Sequence, residues 1–192
     1  MSLNGFTLIG PGKVLAYLRD DLSRASESLV IVGPWLDDYF ADQVVLASPS
    51  ELDARAVVRE EEQMDPEAWQ RTSAALSIFA AKWTDFKART QGRLHAKFLC
   101  IDDKILYLGS ANWYRYSLEK SFELVLRGPK NKIIGFDEEL ERLWRNAADL
   151  KVLQNSRKSN KSIAKGIDYE IIDPIAQKVL KENPKAFVLR KK

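Results

Sequence analysis

The sequence predicts an α/β (α+β) fold in which a mixed β-sheet is sandwiched between helices. Three observations carry that expectation. Short apolar runs of strand length alternate with stretches whose apolar residues recur every three or four positions. One segment, residues 94–108, reads as two strands joined by a polar turn. The chain has 192 residues, 45% hydrophobic and 30% charged, which suits a globular domain with one sizeable core.

Taken in order, Val14, Leu15, Leu18 and Leu22 recur at helical spacing. Leu29 to Val32 is a short apolar run ended by Gly33-Pro34, so a helix should be followed by a buried strand. LDARAVVR, residues 52–59, suggests a second strand. Pro66 then opens a helical stretch, a position proline tolerates because the first-turn N–H has no intrahelical partner. Trp69, Ala74, Leu76, Ile78, Phe79 and Trp83 supply its apolar face. Phe136, Leu140, Leu143 and Trp144 mark a further helix, whose acidic start at Asp137, Glu138 and Glu139 and later Arg142 and Arg145 suit the helix dipole. No internal repeat is visible.

RLHAKFLCIDDKILYLGSAN, residues 93–112, holds the only histidine. Leu94, Ala96, Phe98 and Cys100 alternate with His95, Lys97, Leu99 and Ile101, a strand pattern that puts His95 and Lys97 on one face, about 7 Å apart along the chain. Asp102, Asp103 and Lys104 interrupt the run and Ile105 to Leu108 resume it. Such a hairpin returns Gly109, Ser110 and Asn112 to the neighbourhood of the histidine, and Gly109 permits close backbone approach. A nucleophile or base, a fixed cation and two neutral hydrogen-bonding side chains would converge.

His-x-Lys, four residues, Asp, six residues, Gly-Ser-x-Asn resembles the signature of the phospholipase D superfamily at His95, Lys97, Asp102, Gly109, Ser110 and Asn112. Glu123 follows the asparagine by eleven residues, as in that family, inside the strand-like SFELVLRG. GKVLAYLRDDLSRASESLVIVGPWLDD is similar to the family's opening helix, strand and Pro-aromatic segment. Two positions depart from the pattern: Tyr114 stands where a Ser or Thr is frequent, and Ser121 where an Asn is. The resemblance implies a phospholipase D/nuclease-like catalytic domain with one motif over residues 1–150, followed by an extension over residues 151–192.

It also implies roles. His95 is the expected nucleophile, forming a phosphohistidine. Lys97 places a charge on the phosphoryl oxygens, and Ser110 and Asn112 add oriented donors. Glu123 is expected to accept a hydrogen bond from the other ring nitrogen of His95. Asp102, although part of the signature, is expected to hold the hairpin rather than touch substrate. The chemistry fits what attack at phosphorus requires: a nucleophile, a proton for the leaving oxygen and positive charge around the non-bridging oxygens. Family members use two histidines, and this chain has one. Single-motif members unite two copies about a twofold axis, so a homodimer with one composite site is expected.

Composition narrows the setting. A single cysteine, Cys100, excludes an intrachain disulfide, and it falls on the strand face opposite His95, where a buried core thiol is expected. Metal ligands are few: no second histidine, no cysteine pair, and an acidic run, Glu60 to Glu62, that reads as a solvated segment. A metal-independent reaction without a cofactor follows as an expectation. No apolar run reaches the roughly 20 residues of a membrane span, and MSLNGFTLIGPGK lacks the pattern of a secretory signal, so a cytoplasmic protein without integral membrane association is expected.

Net charge is +3, but residues 151–192 hold 11 Lys and Arg against 4 Asp and Glu, a net of +7, whereas residues 1–150 carry −4. A basic extension serves either polyanion binding or solubility. Within the domain, Arg55, Arg59, Arg71, Lys82, Lys87, Arg89, Arg93 and Arg115 are candidates to line an approach to the site. A nuclease acting on DNA or RNA is the leading reading. A phospholipid hydrolase or phosphatidyl transferase, and a non-catalytic nucleic-acid-binding module, stay open beside it.

Overall fold

The computed structural model describes residues 5–152. The basic extension expected over residues 151–192 therefore lies, after its first two residues, outside the described residues. The strands are β1 (Thr7–Ile9), β2 (Ser28–Val32), β3 (Asp53–Val58), β4 (Lys87–Thr90), β5 (Phe98–Ile101), β6 (Ile105–Gly109), β7 (Val125–Pro129) and β8 (Ala148–Leu150). They form one mixed sheet in the order β1-β7-β6-β5-β2-β3-β4-β8. β2 with β3 and β3 with β4 run parallel, the other neighbours antiparallel. The helices are α1 (Val14–Leu22), α2 (Asp38–Ala47), α3 (Pro66–Lys82), α4 (Arg115–Glu119) and α5 (Phe136–Asn146).

Helices cover both faces, as the sequence predicts, and the alternation along β2 shows why. Leu29 and Ile31 enter a core shared with Leu18 and Leu22 of α1, Phe40 and Val44 of α2, and Leu76 and Phe79 of α3. Val32, together with Val57, Cys100 and Leu106, faces the opposite side, where Phe136, Leu140, Leu143 and Trp144 of α5 pack. Burying one such side chain contributes about 1.5–3 kcal/mol, so the two faces fix the register of the central strands. Cys100 lies buried in the second cluster, on the expected face.

The helix ends follow from local chemistry. Asp65 caps α3 by accepting from the Ala68 N–H at 2.9 Å, with Pro66 at the first helical position. Asp37 caps α2 through the Phe40 N–H at 2.8 Å. Gly135 enters α5 with φ of 80°, a left-handed conformation that glycine adopts without a Cβ clash. In α3 the buried alanines are Ala75 and Ala80, while Ala74 is exposed.

Two boundaries differ from the sequence reading. β5 starts at Phe98 rather than Leu94, because its partner β2 stops pairing at Val32, opposite Phe98. Beyond it, the Gly33 N–H turns to the Val57 carbonyl and Pro34 has no N–H to offer a ladder. β7 starts at Val125 rather than before Glu123, since Gly109 opposite Val125 is the last pair of the β6–β7 ladder. β1, β4, β8, α2 and α4 are elements that the sequence reading did not separate.

Candidate active site

The site is built at one end of the β5–β6–β7 ladder, where three chain segments leave the sheet. Gly109 is indispensable to the crossing of the last two, for a Cβ there would lie 2.2 Å from the Leu124 carbonyl oxygen and 2.8 Å from Val125 Cα. The Ser110 N–H donates to that same Leu124 carbonyl at 3.1 Å, and the Gly109 N–H donates to the Lys97 carbonyl at 3.3 Å. These bonds bring the segments around 97, 110 and 124 together.

His95 stands exposed on the extended lead into β5. Its predecessor Leu94 is buried in the α5-side core, and the Leu94 carbonyl accepts from Arg59 Nε at 3.0 Å, so the backbone at the histidine is held from both sides. Lys97 is only 7% exposed. Its ammonium donates to the His95 main-chain oxygen at 2.8 Å and lies 3.0 Å from Nδ1 and 3.1 Å from Nε2 of the ring. The Trp35 ring backs both residues: it meets the imidazole edge-on at 5.9 Å between centroids, and Lys97 Nζ lies 5.9 Å from its centre. Arg59 stacks over the same indole at 5.2 Å. Burial lowers the Lys97 pKa and the Arg59 charge lowers it further, with Glu123 pulling the other way.

Glu123 is held by two hydroxyls. Ser110 Oγ donates to Oε2 at 2.5 Å and Ser117 Oγ donates to Oε1 at 2.7 Å. Each hydroxyl also accepts a main-chain N–H, that of Leu124 at 3.2 Å and that of Asn112 at 2.9 Å respectively. Asn112 is thus tied to the cluster by its backbone, while its side-chain Oδ1 is buried with no hydrogen-bond partner among the described residues.

The structure therefore brings His95 to Lys97, and Ser110 and Asn112 to Glu123, with the Lys97–Glu123 attraction linking the two groups. One expected contact is different. The hydrogen bond anticipated from His95 to Glu123 is not made, because the glutamate's oxygens take the two serine hydroxyls and the ring nitrogens face the Lys97 ammonium. Asp102 is not at the site. It occupies the β5–β6 turn, a four-residue strand or about 13 Å from the motif's lysine. There its carboxylate accepts the N–H groups of Ser26 at 3.0 Å, Glu27 at 2.8 Å and Ser28 at 3.0 Å, binding the hairpin to the start of β2.

Among the candidate cations, Arg55 pairs with Asp53, while Arg89 bonds to Asp149 at 2.8 Å and lies over Trp144, on the far part of the sheet. Arg59 is the one that reaches the motif's own residues. Trp35 and Ser117 are not picked out as site residues by the sequence, and Arg59 only as one of eight candidate approach cations. The Pro-aromatic step at 34–35 was a usable signal for Trp35. Ser117 carried none, since only the single turn of α4 folds it back onto Asn112. Among the described residues, no group of three or more His, Cys, Asp or Glu side chains gathers as a metal site.

Residues 18–144 match the family described as "Cardiolipin synthase, PLD-like domain". NucT from Helicobacter pylori superposes with a TM-score of 0.61 at 18% identity, over 76% of this chain and 98% of that one. The phospholipase D family member Nuc from Salmonella typhimurium gives 0.61 at 16% identity, over 76% and 99%. The phosphatidylserine synthase of Haemophilus influenzae Rd KW20 gives 0.59 at 14% identity, over 94% of this chain and 46% of that one. None of the curated proteins matches the chain in sequence. No helix among the described residues is long and apolar enough to cross a membrane.

Proposed function

The chain belongs to the phospholipase D superfamily through its PLD-like domain, and from that premise we propose that it is a metal-independent phosphodiesterase, a nuclease cleaving DNA or RNA at a site composed by two copies. The observation that carries this reading is an exposed imidazole with a desolvated ammonium 3.0 Å from its ring nitrogen. The imidazole is reachable by a bulky substrate. The ammonium, fixed by burial, supplies the charge that a pentacoordinate phosphorus demands.

In this scheme a ring nitrogen of His95 attacks phosphorus, the P–N bond forms and the P–O bond to the leaving nucleoside breaks. That alkoxide takes a proton from His95 of a second copy. Water then attacks the phosphohistidine, giving its proton to the second imidazole and releasing the first. Lys97 and the Asn112 amide stabilise the non-bridging oxygens. Glu123, through Ser110 and Ser117, fixes the loop that carries Asn112. The single histidine of each chain supports the two-copy arrangement, because acid and nucleophile must both be present on opposite sides of one phosphorus.

The test is cleavage of labelled single- and double-stranded oligonucleotides in excess EDTA, with wild type beside His95→Ala. Cleavage by wild type alone, with phosphate trapped on His95 after acid-free quenching, is the expected result. Dependence on added metal, or undiminished turnover in His95→Ala, overturns it. Phe122 and Leu124, which flank Glu123 and are 82% and 44% exposed, favour a second reading, lipid phosphodiester chemistry at an apolar rim. Turnover of dispersed phospholipid with no effect on oligonucleotides would select that reading.

A further inference from the structure

Two hollows open beside the half-site. The first, of about 350 Å³, is lined by Trp35, Leu36, Asp65, Ala68, Arg71 and Tyr114. It shares Arg71 and Tyr114 with the second, of about 720 Å³, which continues past Arg115, Tyr116 and Lys120. Their common wall has a definite origin. Leu36 pairs with Trp113 in a parallel bridge, and the Asp37 N–H donates to the Trp113 carbonyl at 3.2 Å. The segment after β2 therefore runs beside the segment after Asn112, and Trp35 and Tyr114 come from these two neighbouring strips. Thr72 of α3 receives the Leu36 N–H at 3.3 Å, which docks the α3 face bearing Asp65, Ala68 and Arg71 against the same place.

We propose that the smaller hollow receives the unpaired base adjoining the scissile phosphate, and that it makes the site selective for single-stranded nucleic acid. The proposal rests on the nuclease reading above and adds its substrate form. Proximity is the first argument: Trp35 lines the hollow and lies 5.9 Å from the imidazole, less than two base rises of about 3.4 Å. Chemistry is the second. Two aromatic side chains and the half-buried Ala68 offer surface to a base face above the buried Leu36, and Arg71 offers hydrogen-bond donors to a base edge.

The polar groups divide in a way that fits. Asp65 caps α3, and Asp37 accepts the Phe40 and Arg115 N–H groups at 2.8 and 2.7 Å, so both carboxylates are engaged by the backbone. Among the described residues Arg71 pairs only with exposed Glu67 one helical turn away, an exchangeable partner, and it lies at the junction of the hollows. Arg115 and Lys120 in the larger hollow then face the next phosphate along the strand. A base inside a duplex has both faces stacked and its edge paired, so it enters such a hollow only by leaving the helix. Tyr114 is also where this chain departs from the Ser or Thr frequent in the superfamily, which makes the hollow a property of this sequence rather than of the motif.

Cleavage kinetics of the full chain test this with a fluorescein-labelled single strand, the same strand in a duplex, and the single strand made abasic beside the cleaved phosphate. Wild type is expected to show a KM about 10-fold lower for the intact single strand than for the other two. Tyr114→Ser should raise the single-strand KM about 10-fold while kcat falls by less, and Tyr114→Phe, which keeps the ring, should restore the preference. Circular dichroism and the melting temperature establish that both variants fold. If Tyr114→Ser unfolds, the abasic comparison in wild type decides alone. Equal KM for all three substrates in wild type, or Tyr114→Ser within 2-fold of wild type, overturns the base hollow and leaves the nuclease reading standing. Failure of wild type to cut any oligonucleotide overturns both.

Discussion

The Lys97 ammonium is bound to its own site by His95: it donates to the His95 carbonyl at 2.8 Å and stands 3.0 Å from the ring. A lysine so enclosed is costly to keep charged, and Arg59 adds like-charge repulsion, so its pKa lies below that of a free lysine. Turnover that needs the cation must therefore fail as pH rises through this lowered value, earlier than the roughly 10.4 of an unperturbed lysine. Arg59→Leu removes the repulsion. The alkaline limb of the cleavage pH profile should move to higher pH in that variant, and a limb that stays in place would show that another group sets it.

Asn112 separates function from stability. Its Oδ1 is buried without a partner among the described residues, an arrangement that lowers stability by about 1–3 kcal/mol relative to a satisfied group. Asn112→Ala deletes that acceptor while the backbone bond to Ser117 remains. The expected outcome is a melting temperature equal to or above wild type together with about a 100-fold fall in kcat. A parallel loss of both quantities would make Asn112 a structural residue.

How much of this was legible in the sequence depends on the range of the interaction involved. The helices over 14–22, 66–82 and 136–146 and the strands over 28–32 and 53–58 were readable because their apolar residues face a core at periods of 3.6 and 2. The motif fixed His95, Lys97, Ser110, Asn112 and Glu123 as a set by spacing. What it did not convey was partnership. Whether Glu123 bonds to His95 or to serines depends on α4, five residues long, whose one turn returns Ser117 to Asn112. β4 and β8 carry little apolar signal, KART and ADL, because only Ala88 and Leu150, paired across the two strands, reach the core, and the rest of this edge draws on ladder hydrogen bonds and the Arg89–Asp149 pair. α2 was missed although Asp37 and Asp38 mark its start, because its apolar residues spread around the helix: Phe40, Ala41 and Val44 are buried while Leu46 is 81% exposed.

Asp102 belongs to the signature yet serves the fold. Burial alone would raise its pKa, but the N–H groups of Glu27, Ser28 and Ser26 outweigh that and hold it low. Both Asp102 and Asp103 have positive φ, 52° and 55°, a conformation that aspartate tolerates better than most residues, in the three-residue loop 102–104 between β5 and β6. Asp102→Ala strands three donors and should destabilise by about 3 kcal/mol in urea titrations. The sign with pH follows from the depressed value. The stabilisation is complete above the unfolded carboxyl's pKa of about 3.9 and disappears as pH falls through the lower folded value. Wild type and Asp102→Ala should therefore converge in stability as pH falls below that depressed value.

A second buried carboxylate ties α1 to the strands next to Ser110 and Glu123. Asp21, 2% exposed, receives Arg127 Nε and a second guanidinium nitrogen at 2.5 Å each, and also the Tyr107 hydroxyl. Tyr107 and Arg127 are direct cross-strand partners on β6 and β7, so one helix residue closes a triangle over the ladder. Desolvation pushes the Asp21 pKa up, but Arg127 and then Tyr107 more than reverse it. Arg127→Met leaves the buried Asp21 carboxylate with only the exposed Arg24 at 3.2 Å and the Tyr107 hydroxyl, and should cost about 3 kcal/mol, whereas Asp21→Leu with Arg127→Met removes both members of the buried pair and should recover most of that loss. A double-mutant cycle by urea unfolding measures the coupling. Strict additivity of the two substitutions would mean that the sheet end is held by its backbone ladder alone, and that the triangle contributes nothing to positioning the site.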